Sequence, residues 1–504
     1  MGLRLRKYRA ANGVLTAEAQ DRIDEIEARY PAWRPDDGER DEFPFWMGDG
    51  GDWGTFTHTP VARRDLVAWL GDHQRADDMN RDDWELRCKS DFPRILATLL
   101  DLAARGQWYP DRWRAALQAW TEPPLLARSW RHLARHLVGT PDVFLREVAH
   151  ALSYWLEAQG KSSSSHQQHF FGLSRRLIML YRNDAIEPDN DVVFRSINHP
   201  MGHAVQALFN WWYQQNLRDG LLLADEVRVT FTDLTQVDVP IYRYGRVLLG
   251  ANVIALFRVD PEWTRHHVLP LFDWQKSAEE AAAVWKGFLW TPRSHLPLFT
   301  AIKASFLATA QHYARLGEHG EQYAALLTTA VLEAPDLFAL GQKREAVAAL
   351  PDAGLRRSAL TVLDALEGAG EQRSAYWRNR AKPFIETIWP QGVQRRSRVI
   401  SEVFARISIA SGEAFREAFD TVHAWLMQSD DVGLVPHELA QSKQSTTLPE
   451  TALALLDATI KDNLQWLGAQ VRSCLDEIKA ARPELENDHR YQRLEQLVRR
   501  FGAG

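Results

Sequence analysis

Two imidazoles stand four residues apart in Asn198-His199-Pro200-Met201-Gly202-His203, the spacing that lets one helical face offer two metal ligands. Pro200 and Gly202 lie between them, and no glutamate occupies the place of a metalloprotease base. The segment therefore reads first as a helix start with a partly buried histidine pair. A metal-dependent enzyme using His199 and His203 is the second alternative. His166, His169 and the adjacent His266-His267 have no cysteine or carboxylate at ligand spacing. Gly160-Lys161-Ser162 ends like a phosphate-binding loop, but Trp155 stands where the first glycine of that loop belongs. Gly48-Asp49-Gly50-Gly51-Asp52-Trp53-Gly54 is dense in glycine, yet its aspartates repel a pyrophosphate and its third glycine comes late for a dinucleotide fingerprint. It reads as a turn. No Gly-x-Ser-x-Gly elbow occurs, and Glu279-Glu280 fits a helix start, where the macrodipole favours carboxylates. The expectation is a protein with no catalytic constellation and no cofactor.

Binding is the better prospect. Tyr376-Trp377-Arg378-Asn379-Arg380 combines aromatic rings with guanidinium groups, the ingredients of a protein hot spot or a base-stacking platform. Trp377 also reads as a core residue. Arg395, Arg396 and Arg398 form one basic group, and Arg175-Arg176, Arg356-Arg357 and Arg499-Arg500 form others. Set along one face of an extended protein, such groups would track a phosphate backbone; as isolated pairs they are solvated helix surface. The formal net charge of -6 gives no global attraction to nucleic acid. A protein partner is thus expected ahead of nucleic acid, with a nucleic-acid-binding solenoid as the first alternative.

The elements carrying these residues read as helices throughout. Leu316-Gly317-Glu318-His319-Gly320-Glu321-Gln322, Leu366-Glu367-Gly368-Ala369-Gly370-Glu371-Gln372 and Ser411-Gly412-Glu413-Ala414 each separate two apolar-periodic stretches. Gly320, Gly370 and Gly412 recur at roughly 40–50 residues, the period of stacked HEAT or armadillo hairpins. Leu350-Pro351 and Leu448-Pro449 each lead into a leucine-rich helix. The fold class expected is all-α, a HEAT/armadillo-like helical-repeat solenoid. Residues 1–59 hold an amphipathic opening helix from about Thr16 to Arg29, then a loop pinned by Phe43, Phe45, Trp46 and Trp53. Residues 60–160 are helical repeats. A linker at Gly160-Lys161 and Ser162 to Ser165 opens a helical middle region, 161–277, with an irregular insert. There Val227 to Phe231 alternates like a strand and is assigned to helix or loop. Residues 278–504 are helical hairpins closed by a cap carrying Tyr491, Leu494, Leu497 and Val498.

At 504 residues the chain needs several cores or one core that grows along an axis. Twenty tryptophans, among them Trp113, Trp120 and Trp130, suit large wedges between helices. Cys88 and Cys474 alone make neither a disulfide framework nor a multi-cysteine zinc site, which fits a reducing cytoplasm. No apolar run reaches the length of a membrane span, and the start, Met1-Gly2-Leu3-Arg4-Leu5-Arg6-Lys7, lacks the apolar stretch of a secretory signal.

Trp285-Lys286-Gly287-Phe288-Leu289-Trp290-Thr291-Pro292-Arg293, His312-Tyr313-Ala314, Gly320-Glu321-Gln322-Tyr323, Gly370-Glu371-Gln372 and Tyr376 to Arg380 resemble the C-terminal helical region of bacterial sirtuin-like anti-phage defence proteins. The resemblance extends over most of the chain beyond Pro60. It implies a region that senses infection and holds an oligomer together, beside an N-terminal sirtuin-like effector that destroys NAD. Here no alternation of strands and helices with a glycine-rich loop precedes the helices, so the effector is expected on another chain or missing, and no catalytic residue carries over. The expectation is a cytoplasmic sensor or scaffold without chemistry of its own, whose partner is a defence effector or a phage protein.

Overall fold

The computed structural model describes residues 5, 6, 8, 9, 14–31, 55–72, 80–162, 167–186, 191–392, 395–461 and 468–501. The glycine-dense turn and aromatic loop expected before residue 55, the serines 163–165 and His166 lie outside them. Two compact units form: Met1–His58 with Ala76–Asp82, and Thr59–Arg75 with Asp83–Gly504. In the first, Thr16 caps the helix Ala17–Arg29, its hydroxyl accepting from the Ala19 N–H at 3.3 Å. The strands Thr55–Thr57 and Asn80–Asp82 pair in parallel in the same unit. These three-residue strands apart, the regular elements among the described residues are helical, and the fold is all-α. Among the described residues no helix is long and apolar enough to cross a membrane.

Helices of the second unit pack in chain order. Trp84–Ser90 lies on Pro110–Ala119, and the series continues through Ala149–Gly160, Pro200–Tyr213, Arg243–Ala251 and Ala278–Trp290. It runs on through Gly320–Glu333, Asp352–Gly368, Arg398–Ala410, Pro449–Thr459 and His489–Phe501, each member packed on the next. Alongside, Leu125–Val138 packs on Gln167–Leu180, which packs on Asp225–Leu234. Among the closely packed pairs, the one spanning most chain joins Val192–Asn198 to Ala278–Trp290. Packing also continues past residue 160, because Ala149–Gly160 lies along Pro200–Tyr213.

Three tryptophans tie neighbouring helices by burying a large ring and donating the indole N–H to the neighbour. Trp84 donates to the Arg112 carbonyl at 3.0 Å, Trp120 to that of Cys88 at 3.0 Å, and Trp155 to the Ser129 hydroxyl at 3.0 Å. Trp113, Trp120 and Trp130 are all buried, as their spacing predicts.

The Gly-Glu turns share one backbone feature with a shifted first member. Gly317, Gly370 and Gly412 have φ of 60°, 55° and 65°, the left-handed region that glycine enters without a Cβ clash. Gly320 instead begins the helix Gly320–Glu333, so the turn glycine there is Gly317, in Leu316-Gly317-Glu318. The ambiguous Val227 to Phe231 lies inside the helix Asp225–Leu234, because Val227, Thr230, Phe231 and Leu234 all face the core.

Glu280 does more than favour a helix start. Ser277 caps that helix, while the buried Glu280 carboxylate accepts from Arg246 Nε at 2.8 Å and Arg243 Nε at 2.7 Å. Arg246 also donates to the Gln236 carbonyl at 2.7 Å and, at 3.3 Å each, to those of Leu234 and Val239. Without these partners the fully buried guanidinium would be an uncompensated charge, whose typical cost is about 3–5 kcal/mol.

Candidate functional site

The His199/His203 pair is built by two close helix approaches. Pro200 occupies the first turn of Pro200–Tyr213, and His199 is its N-cap, Nδ1 accepting from the Met201 N–H at 3.1 Å. A Cβ on Gly202 would lie 1.6 Å from the Ser196 carbonyl oxygen, and one on Gly160 would lie 2.4 Å from that of Ala207. Glycine at these positions lets Val192–Asn198 fold back on Pro200–Tyr213 and lets Ala149–Gly160 lie close along it. That approach brings Glu157 to His203.

The two histidines then part in role. The His199 ring lies between Tyr181, with ring centroids 4.6 Å apart, and Tyr244, at 5.1 Å. Burial, reinforced by neighbouring His150, pushes its pKa down to about 4, so it is a neutral cap at physiological pH. His203 is 7% exposed, and its Nδ1 is 2.8 Å from Glu157 Oε2. Burial raises the Glu157 carboxyl, but the bond from His203 and the charge of Lys161 outweigh it and leave the pKa below its ordinary value. An ionised carboxylate only accepts, so Nδ1 carries the hydrogen of this bond and Nε2 is the ring nitrogen left for a further partner. Nε2 is buried with no hydrogen-bond partner among the described residues.

His203 and Glu157 line a cleft of about 750 Å³ together with Tyr154, Lys161, Asn198 and Gln118. The Tyr154 ring centroid is 4.3 Å from that of His203. A carboxylate-oriented imidazole accepts a hydrogen bond or a proton at Nε2. As metal ligands His199 and His203 are not equivalent, since Met201 and two tyrosine rings already engage the first. Among the described residues no group of three or more His, Cys, Asp or Glu side chains is placed to hold a metal ion.

No protein-family model matches the chain, and no curated protein or solved structure shows detectable similarity to it.

The residues expected at an interaction surface divide between core and exterior. Trp377 is fully buried and begins a π-helical turn, Trp377–Ala381, inside the surrounding helix. Tyr376 is half-buried, its hydroxyl donating to Glu333 Oε1 at 2.6 Å, and burial together with that acceptor raises its pKa. Arg378 is exposed and reaches Glu417 at 3.0 Å; Arg380 is half-buried. Arg395 donates to the Ala348 carbonyl at 3.3 Å and lies 3.8 Å from Asp352, whereas Arg396 and Arg398 are exposed. Most of the other basic groups are neutralised locally. Arg175 meets Asp233, Arg176 meets Asp142, Arg357 meets Asp364, and Arg499 meets Glu495.

The sequence reading missed Glu157, which lies far from His203 in the chain. The available signal was helical: His150, Tyr154 and Glu157 fall on one face of Ala149–Gly160, with Lys161 following as its C-cap.

Proposed function

We propose that this chain is a HEAT/armadillo-like helical-repeat scaffold or sensor that binds a protein partner and performs no chemistry of its own. The observation that carries this reading is the unbroken series of helices from Trp84–Ser90 to His489–Phe501, each packed on the next. Such quasi-one-dimensional stacking makes a long surface from short-range contacts, which suits protein capture. The exposed guanidinium groups of Arg378, Arg396 and Arg398, with half-buried Arg380, are the proposed points of contact. The setting, a cytoplasmic bacterial anti-phage system with a separate effector, rests on the resemblance of Trp285 to Arg380 to the helical region of sirtuin-like defence proteins.

The test is affinity purification of the tagged chain from its own host, with and without phage challenge, followed by quantitative mass spectrometry. The expected result is one partner, an NAD-consuming effector or a phage protein, whose recovery changes on challenge and falls in an Arg378→Glu/Arg380→Glu variant. Recovery of the chain alone under both conditions refutes the reading.

A further inference from the structure

Between Glu122 and Asp142 the sequence contains no acidic residue, and the helix Leu125–Val138 lies inside that run. Its buried face is Leu126, Ser129, Trp130, Leu133, Ala134 and Leu137. The exposed face is Arg128, Arg131, His132, Arg135 and His136, with only Ala127 and Val138 as apolar company within the helix. The neighbouring helix Gln167–Leu180 also lacks acids, within a second acid-free run from Ala158 to Asn183. The two helices meet through Trp130 and Phe170, whose ring centroids are 6.3 Å apart. In a chain of net charge -6 this is a concentrated positive region.

Among the described residues no carboxylate holds the arginines of this face. Arg128 lies over the Phe92 ring at 4.7 Å, and Arg135 Nε donates to His136 Nε2 at 3.3 Å. Burial, and after it the charge of Arg135, lowers the His136 pKa. Among the described residues Arg128, Arg131 and Arg135 form no ion pair. The acids of the adjoining helix Phe92–Ala104 and its cap are already taken: Asp101 by Arg63, and Asp91 by Arg87 and Arg94. Beside the arginines runs a groove of about 400 Å³, whose floor includes Pro93, Leu96 and Leu100 and whose basic rim includes Arg131, His132 and Arg135.

We propose that the exposed face of Leu125–Val138, with this groove, binds single-stranded nucleic acid through its phosphate backbone. Arg128, Arg131 and Arg135 are spaced i, i+3, i+7, a line of about 10 Å along the helix at ~1.5 Å per residue. A line of exposed cations matches a polymer of phosphates, whereas one small anion needs a converging cradle. The apolar floor next to the line gives an unstacked base a surface to lie on, which a duplex cannot use. An acidic protein partner would need an apolar interface centre that the helix's outer face does not supply. The binding is therefore read as sequence-independent. It stands apart from the scaffold proposal and involves other residues.

The test is fluorescence anisotropy of the full chain with labelled 20-nucleotide oligo-dT and oligo-U, a 20-base-pair duplex, and polyglutamate, at 50 and 200 mM NaCl. Single strands are expected to bind best and to weaken steeply with salt. In an Arg128→Glu/Arg131→Glu/Arg135→Glu variant, affinity at 50 mM should fall at least tenfold. The salt slope should shrink by about 2, at ~0.7 per lost phosphate contact. An Arg499→Glu/Arg500→Glu variant, at exposed arginines of the last helix, should bind as the parent does. Circular dichroism and the melting temperature report folding, and if the charge reversal unfolds the chain, the Arg128→Gln/Arg131→Gln/Arg135→Gln variant replaces it. No binding by the parent at 50 mM, equal affinity for polyglutamate, tighter binding of duplex, or unchanged binding by the folded triple variant each overturns the proposal.

Discussion

His199 and His203 show how position within one turn of helix sets the chemistry of the same side chain. His203 keeps a carboxylate partner, whereas His199 has its N-cap bond and two tyrosine rings. The native His199 imidazole resists its proton down to about pH 4, while in the unfolded chain it protonates near 6.5. Between those values the unfolded state binds more protons, so stability falls as pH falls. The loss on going from pH 7 to pH 5 is about 2 kcal/mol. His199→Asn keeps an N-cap oxygen and removes the titration. The stability difference between parent and variant, from urea unfolding, should therefore shift by about 2 kcal/mol in the variant's favour between those two pH values. A pH-independent difference would show that the native imidazole titrates like the unfolded one.

Helices themselves were largely legible. Ala17–Arg29 and His489–Phe501 follow their apolar spacing, and Pro351 and Pro449 stand at the starts of Asp352–Gly368 and Pro449–Thr459. Val227 to Phe231 was ambiguous because a short window of β-branched residues satisfies a period of two as readily as one of 3.6. How closely elements approach was not legible, since the same glycine serves either a tight contact or open surface. Gly202 and Gly341 make the contrast. Gly202→Ala would place a Cβ against the Ser196 carbonyl and should cost about 1–3 kcal/mol or more. Gly341, in the helix Leu340–Ala348, has nothing within 4 Å of its ideal Cβ, so Gly341→Ala should be neutral or gain up to about 1 kcal/mol. Denaturant midpoints of the two variants measure this, and equal effects would contradict the close packing at Gly202.

On the scale of the whole second unit, one buried cluster extends from Leu66 to Trp425 and a second from Ala405 to Val498. If the helices stack as the proposed solenoid, stability is a sum of local terms and damage should stay local. Leu456 is fully buried in the second cluster, and Leu456→Ala should cost about 2–5 kcal/mol there. Hydrogen exchange should rise across Arg398–Ala410, Pro449–Thr459 and Gly468–Ala481 and stay unchanged in Ala149–Gly160 and Pro200–Tyr213. An equal rise in both regions would mean a single cooperative core.

The sequence by itself determined the helical class, the turn glycines and the tryptophan wedges, because periodicity, backbone φ and side-chain volume act over a few residues. It also held the acid-free stretch around Arg128, legible as composition. Only the tertiary structure decided that Glu157 faces His203, that Glu280 holds Arg246, that Trp377 is core, and that Arg175 and Arg176 are neutralised while, among the described residues, no carboxylate pairs with Arg128, Arg131 or Arg135. Each of these is a pairing between groups distant in the chain, and a charge or lone pair acquires its energy from the partner and the dielectric that packing brings to it.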